Sequence, residues 1–353
     1  MSEQAQGRVS VIIPARNEEA NIARVVRSVA GQADSREILV VDDQSRDRTG
    51  AILEELRATN PRLHVLRTEA LPEGWSGKTH ALATAAREAH GEWLLFTDAD
   101  TEHLPGSLGT LLARAEQEGA DLLSLSPGQQ VLTWWEKAVI PLVYVHLARL
   151  YRFEEVADPR STAAAANGQY LLVRRETYER IGGHAAVRGE ILEDVELARR
   201  IKSAGGRLVF LPGSAWVRTR MYRTFGEMWG GWTKNLFLLY RKDWGRMLET
   251  VGELWTLDAL PPLLFLILCA VLAVERGGAV TGLLALLFLL VSLIRQASYR
   301  EALGKLGFER VLGWYLASGG FLLGLLLLNS AIAHQWIGRV QWKGRDYSTR
   351  GGR

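Results

Sequence analysis

Two carboxylates one residue apart, Asp98 and Asp100, close an apolar run that starts at Trp93. Oxygen ligands alternating about a tight turn suit a hard divalent cation, Mg²⁺ or Mn²⁺, with phosphate oxygens as further ligands. An Asp that merely caps a strand-to-helix turn explains an isolated Asp-x-Asp equally well. A second pair, Asp42-Asp43, closes the apolar run Ile38–Val41. A third acidic pair, Glu193-Asp194, follows Gly182-Gly183-His184 and opens a segment where Leu192, Val195, Leu197 and Ile201 form a helical face. Ordinary helix-start charge favoured by the macrodipole accounts for that pair as readily as chemistry does. Lys78, within Gly74-Trp75-Ser76-Gly77-Lys78-Thr79, supplies a cation. The stretch looks like a phosphate-binding loop, but the Walker spacing requires glycine where Pro72 stands. Lys78 is therefore read as a single charge facing a phosphate.

The elements that must position these groups follow from periodicity. Val9–Ile13, closed by Pro14, is β-branched and reads as a first strand. Asn17 is placed to cap a helix in which Ile22, Val25, Val26 and Val29 recur at helical spacing. Ile38–Val41 is a second strand and Leu63–Leu66 a short third, and an alanine-rich helix over Gly77–His90 is stopped by Gly91. The strand ending at Asp98 precedes a helix around Leu108–Ala115, a strand over Asp121–Leu125, and a strand over Gln169–Val173 entered by an Asn167-Gly168 turn. Continuous apolar runs are the mark of buried parallel strands. Their alternation with helices predicts an α/β fold with a mostly parallel sheet flanked by helices. Such sheets bind ligands beyond the carboxyl ends of their strands, which gathers both aspartate pairs at one edge. No Gly-x-Gly-x-x-Gly follows the first strand, so a dinucleotide site is not expected.

The net charge of +3 is small, but the basic residues crowd towards the C-terminal half. No basic run with interleaved aromatics precedes the hydrophobic region, which points to a membrane surface rather than nucleic acid. The lone Cys269 excludes a disulfide framework or a cysteine metal site within one chain. Met1–Gln6 is polar with no signal-peptide core, so the first domain is expected in the cytoplasm. Phe225–Arg246 mixes Trp, Phe and Tyr with Lys and Arg, as membrane interfaces do. Leu132–Leu150, with Glu136, Lys137, His146 and Arg149, reads as an interfacial amphipathic helix. Ala259–Val274 and Ala279–Ile294, about 16 residues each, predict a helical hairpin turning at Glu275-Arg276-Gly277-Gly278, and Val311–Ala333, about 23 residues, is long enough to span. The basic loop Arg295–Arg310 is expected in the cytoplasm. Three crossings would then put a tail with Arg339, Lys343, Arg345, Arg350 and Arg353 outside, against the positive-inside bias, so a re-entrant segment or a fourth crossing is left open. The expected division is 1–224 catalytic, 225–256 interfacial, 257–335 with about three transmembrane helices, and 336–353 a basic tail.

Val11-Ile12-Ile13-Pro14-Ala15-Arg16-Asn17-Glu18, Val41-Asp42-Asp43-Gln44-Ser45-Arg46-Asp47-Arg48-Thr49 and Thr97-Asp98-Ala99-Asp100, in that order, resemble the motifs of family 2 glycosyltransferases of the GT-A fold. The Gly74–Lys78 stretch and the C-terminal apolar segments narrow the resemblance to the membrane-bound branch with hopanoid-associated and carotenoid-type enzymes. That resemblance implies a UDP- or GDP-sugar donor, a divalent metal held by Asp98 and Asp100, and inversion at the anomeric carbon. It implies donor contacts from Pro14, Ala15, Asn17, Glu18, Asp42, Asp43, Lys78 and Asp98. It also implies that Asp194 is the general base, with Glu193 beside it on the acceptor side, and that Trp232 touches donor or acceptor. A lipid or isoprenoid acceptor and a multi-pass place in the cell membrane, catalytic domain cytoplasmic, complete the expectation. The alternatives are a tethered transferase for a soluble or polysaccharide acceptor, a catalytically dead binding protein, and a sugar nucleotidyltransferase. The last would want a glycine-rich basic loop after the first strand, which Pro14–Glu18 does not supply.

Overall fold

The apolar runs become strands in the computed structural model of the chain, which describes residues 7–274, 278–342 and 344–348. The polar N-terminal residues 1–6, the turn residues Glu275, Arg276 and Gly277, and the tail residues Lys343, Arg350 and Arg353 lie outside the described residues. Two units are formed, Met1–Gln130 with Tyr151–Met221, and Val131–Leu150 with Tyr222–Arg353.

In chain order the first unit contains β1 (Val9–Ala15), α1 (Ile22–Ala30), β2 (Ser35–Asp42), α2 (Thr49–Thr59), β3 (Leu63–Arg67), α3 (Gly77–Glu88), β4 (Trp93–Phe96), β5 (Thr101–His103), α4 (Ser107–Gln117), β6 (Leu122–Ser126) and β7 (Gly128–Gln129). After α5 (Trp134–Leu150), which belongs to the second unit, it resumes with α6 (Phe153–Ala157), β8 (Leu171–Arg174), α7 (Arg175–Arg180), α8 (Glu193–Ser203), β9 (Leu208–Pro212) and β10 (Val217–Thr219). Seven strands form the main sheet in the order β3-β2-β1-β4-β8-β6-β9. The expected mostly parallel sheet is therefore present, with β8 running against both β4 and β6.

The register explains how the edge is built. Ala15 pairs with Asp42, Ile12 with Phe96, and Phe96 with Leu171. Because β1, β2 and β4 point the same way, their carboxyl ends lie side by side. The reversed β8 brings its beginning, just after Asn167-Gly168, to that same edge. Val11, Ile13, Val25, Val29, Leu95 and Leu123 pack beneath it, each essentially inaccessible. Burying a side chain of this size contributes about 1.5–3 kcal/mol.

One local expectation fails. Asn17 does not cap α1. Its φ is 52°, a left-handed conformation that Asn tolerates better than most residues, and α1 starts only after Asn21, which makes no side-chain cap bond. The intervening turn is closed by the carbonyl of Glu18, which accepts from the amides of Asn21 and Ile22, both at 2.9 Å.

The second unit is helical: α5, α9 (Phe225–Leu239), α10 (Trp244–Glu253), α11 (Leu260–Val274), α12 (Ala279–Lys305) and α13 (Leu316–Ile332), followed by a hairpin of β11 (Arg339–Trp342) and β12 (Arg345–Ser348). Among the described residues three helical segments are long and apolar enough to cross a membrane: Trp244–Val274, Ala279–Lys305 and Arg310–Ile337. The first two outrun their apolar runs because polar and aromatic flanks continue the helix, so the short runs are not short helices. Leu263, Leu266, Leu283 and Leu287 face outward, as lipid-facing residues would. Helix α5 departs from the amphipathic expectation, since it is buried almost continuously from Trp135 to His146. Its Glu136 accepts from the amides of Leu132 and Thr133 at 2.9 and 2.6 Å, so the charge is spent closing the helix start.

Small residues and one ionic cluster knit these helices. A Cβ at Gly319 would run into the carbonyl oxygen of Ala138, and one at Gly324 into the indole of Trp255, so α13 meets a neighbour's backbone at the first and a neighbour's side chain at the second. Arg295 bonds Asp258 at 2.7 Å and Glu253 at 2.6 Å, and Arg149 reaches Glu253 at 3.1 Å.

Candidate active site

At the shared strand edge the first side chain to account for is Lys78. Ser76 caps α3 by accepting from the amide of Thr79 at 3.1 Å, which places Lys78 in the first turn of the helix. Its Nζ lies 2.8 Å from Asp98 Oδ1 and 2.7 Å from Glu193 Oε1. Burial pulls the ammonium down, but the charges of Asp98, Glu193 and Asp194 outweigh it and hold the group well above its ordinary value. One lysine thus ties the end of β4 to the start of α8.

Asp194, next to Glu193, turns its carboxylate back to the strand edge. Oδ2 accepts from the amide of Gly168 at 2.8 Å and Oδ1 from that of Val195 at 2.8 Å. Burial, and then the neighbouring Glu193 charge, push its pKa up to about 6, against the pull of Lys78 and the two amides. A carboxyl group poised there changes protonation near neutral pH, as a general base must. Gly168 permits the arrangement, since a Cβ on it would stand 2.7 Å from Lys78 Nζ.

These groups line an open-sided pocket of about 230 Å³, shared with Pro14, Thr97 and His184. Thr97 Oγ1 is within 2.8 Å of the carbonyl of Gln169, which fastens β4 to the start of β8. Tyr178 bonds His184, and Phe96 meets its ring edge-on with centroids 4.6 Å apart.

The loops after β1 and β2 are stitched together. Asn17 Oδ1 accepts from the amide of Arg46 at 2.8 Å, and the amide of Asn17 donates to Ser45 Oγ at 3.0 Å. The amide of Glu18 donates to Thr49 Oγ1 at 2.7 Å, and that of Glu19 to Asp47 Oδ2 at 3.0 Å. Asp42 Oδ1 receives the amide of Ser45 at 3.0 Å, and Asp43 Oδ1 the hydroxyl of Thr68 at 2.8 Å. Asn17, Glu18, Asp42 and Asp43 therefore all shape the loop pair beyond the sheet edge. Ala15 is buried at the end of β1, its carbonyl accepting from the amide of Asp43 at 2.8 Å.

Asp98 and Asp100 stand one residue apart after β4, and the carbonyl of Asp100 accepts from Arg24 at 3.2 Å and Thr219 at 3.3 Å. Among the described residues no cluster of three His, Cys, Asp or Glu side chains is assembled to hold a metal. Asp98 and Asp100 carry the oxygen ligands that a hard cation such as Mg²⁺ takes, and Asp98 Oδ1 is paired with Lys78 at 2.8 Å. Trp232 belongs to the helical unit, where it is buried in edge-on contact with Tyr144 and Tyr222.

The pocket thus gathers Pro14, Lys78, Asp98, Glu193 and Asp194 from the sequence expectation, while Asn17, Glu18, Asp42 and Asp43 build the neighbouring loops. Sequence reasoning missed His184, Thr97 and Gly168 as pocket residues. The available signals were the double glycine before His184 and the Asn167-Gly168 pair, both of which read as turns, and the place of Thr97 just before Asp98.

Residues 10–182 match the family described as glycosyl transferase family 2. The chain is 28% identical over 241 residues to the 4,4'-diaponeurosporenoate glycosyltransferase of Staphylococcus haemolyticus, and 30% identical over 234 residues to the protein of the same name from Staphylococcus aureus. Each alignment takes in 65% of this chain, which spans 60% of the length of those relatives. Among solved structures it is similar to a mannosyltransferase from Pyrobaculum calidifontis in complex with GDP-Man and Mn²⁺, at 19% identity and a TM-score of 0.49, covering 96% of this chain and 90% of that one.

Proposed function

We propose that this chain, whose residues 10–182 match the glycosyl transferase family 2 description, moves a sugar from a UDP- or GDP-sugar to a membrane lipid or isoprenoid acceptor, with inversion. The observation that carries the reading is Asp194, a carboxyl pushed up to about 6 beside Lys78, Asp98 and Glu193 at the sheet edge. In this reading the donor lies across the carboxyl ends of β1, β2 and β4, with its base and ribose in the loop pair of Asn17, Glu18, Asp42 and Asp43. Asp194 takes the proton of an acceptor hydroxyl, which is a poor nucleophile until a positioned carboxylate does so. The oxygen then displaces the nucleotide from the opposite face of the anomeric carbon, and that single displacement inverts it. Lys78 offers its positive charge to the diphosphate. Asp98 and Asp100 would hold a divalent cation, Mg²⁺ or Mn²⁺, which when bound neutralises charge on the leaving diphosphate.

For the metal assignment, Asp100→Ala is expected to abolish the gain in nucleotide-sugar affinity that Mn²⁺ gives the wild type. Calorimetry with UDP- and GDP-sugars, with and without Mn²⁺, measures it. Unchanged Mn²⁺-dependent binding in the variant would make Asp100 no ligand.

The acceptor side of the reading is supported by the three apolar helices and by the carotenoid-type names of the relatives. In it the helices cross the membrane and the catalytic domain lies on the cytoplasmic face. An acceptor confined to the bilayer meets a tethered enzyme without exposing its chain to water, at about 0.8 kcal/mol per CH₂. Radiolabelled donor incubated with the enzyme and a membrane lipid extract should put label into the organic phase. Label confined to water-soluble glycan would establish the tethered, soluble-acceptor alternative instead.

A further inference from the structure

Of the side chains lining the pocket, most offer only carboxylate oxygens or carbon. Lys78 spends two of its three N–H donors on Asp98 and Glu193 and is given to the diphosphate in the reading above, and Thr97 sits on the carbonyl of Gln169. Carboxylates can accept from a bound hydroxyl, but the oxygen of that hydroxyl also needs a donor. His184 is the lining residue placed to give one. It is 2% exposed, and its Nε2 has no hydrogen-bond partner among the described residues.

The tautomer follows from Tyr178. The backbone amide of His184 donates to the Tyr178 hydroxyl oxygen at 3.0 Å, so that hydroxyl must send its own proton elsewhere. The atom in reach is Nδ1 of His184, at 2.9 Å. A ring that accepts at Nδ1 carries its proton on Nε2 when neutral. It stays neutral, because burial, reinforced by the nearby Lys78 charge, pushes the imidazole down to about 3. The lock is sterically built in, since a Cβ on Gly183 would stand 2.5 Å from the Tyr178 ring, and Gly183 itself has φ +53°.

His184 shares the pocket lining with Lys78, Asp98, Glu193 and Asp194, the groups that the transferase reading sets around the reacting sugar. Resting on the transferase reading above, we propose that His184 is a sugar-specificity residue whose Nε2–H donates a hydrogen bond to a hydroxyl oxygen of the sugar being transferred. The one sugar hydroxyl seated there donates its hydrogen bond to a carboxylate of Asp98 or Glu193 and accepts one from the imidazole Nε2–H. The Tyr178 hydroxyl acts at one remove, as the positioning group that keeps the donor on the correct nitrogen.

The test uses the full-length protein in detergent with Mn²⁺, titrated calorimetrically with UDP, GDP, UDP-glucose, UDP-N-acetylglucosamine and GDP-mannose. His184→Phe should bind the free nucleotide as the wild type does, yet bind the preferred nucleotide sugar about tenfold more weakly, the effect of one lost hydrogen bond to a buried group. His184→Gln, which keeps an N–H donor, should recover most of the loss, and Tyr178→Phe should lose less than His184→Phe. Nitrogen-15 spectra of histidine-labelled wild type should show an Nε2–H tautomer for His184 that shifts with the nucleotide sugar but not with the nucleotide alone. Those spectra decide the matter if His184→Phe fails to fold. Equal weakening of nucleotide and nucleotide sugar, unchanged sugar binding, or an Nδ1–H tautomer would each overturn the assignment. A wild type that binds none of the five probes would remove the transferase reading itself, and this role with it.

Discussion

Asp194→Asn is expected to lower turnover by roughly 10²–10⁴ while leaving nucleotide-sugar affinity close to that of the wild type. The substitution keeps the shape of the side chain but removes its capacity to take a proton. Wild-type turnover should rise as pH climbs through about 6, where the Asp194 carboxyl loses its proton, and the variant's residual rate should lack that limb. The stability sign is the opposite. A carboxyl raised on folding binds its proton more tightly in the folded state, so its stabilising contribution is complete at low pH and is lost as pH rises through about 6. Above that pH the variant should lose only about 1–3 kcal/mol, because the asparagine NH2 cannot accept one of the two amides that Asp194 receives, and a larger loss would mark a damaged fold. The comparison also bears on the acceptor. A carboxylate acceptor arrives ionised and needs no base, so a variant with full activity would point to carboxyl rather than hydroxyl glycosylation. Equal losses in affinity and turnover would make Asp194 a donor-site residue.

Lys78→Met should be the most damaging single change in the pocket. It leaves Asp98 and the buried Glu193 without their shared counterion, and removing one partner of a buried pair costs about 3–5 kcal/mol. Lys78 keeps about a third of its side chain exposed, so solvent screening brings the expected cost nearer to about 1–3 kcal/mol. Thermal melts at pH 8 would show the loss. Activity should fall by at least about 10²-fold, since the ion pairs that position Glu193 at the start of α8 go with the charge. Lys78→Arg should restore stability better than turnover, because a guanidinium keeps the charge but spreads it over a plane. A variant as stable as the wild type at pH 8 would show that the ion pairs contribute nothing to the fold.

The ends of β1, β2 and β4 were legible because buried parallel strands are written as unbroken apolar runs, and the residues just past such a run lie at the binding edge. The direction of β8 was not legible. Leu171-Leu172-Val173 has the same composition whichever way it runs, and its reversal depends on where the chain returns from. That reversal is what sets Gly168 against Asp194. Glu193 and Asp194 read equally well as helix-start charge, and both descriptions hold, for the pair opens α8 and faces Lys78. Asn17 was read as a cap because its type suits one, whereas the loop after β2 offered it a longer-range partner in Arg46. His184 was invisible as a site residue because its role needs Tyr178, Phe96 and Lys78 together, and only the folded chain assembles them.

The glycine seam of α13 has a consequence for how far the helical unit can drift in sequence. Placed in a bilayer, the outward leucines of α11 and α12 meet chains as apolar as themselves, so hydrophobicity gives them no reason to prefer a helix over lipid. Those positions are interchangeable among apolar residues. Gly319 and Gly324 are not, because each marks a place where the backbone of α13 meets Ala138 or Trp255 with no room for a side chain. Arg295 fixes α12 by angle as well as by distance, since one inserted residue upstream would carry it about 100° round the helix and away from Asp258. The unit therefore has one face specified residue by residue and another specified only by solvent.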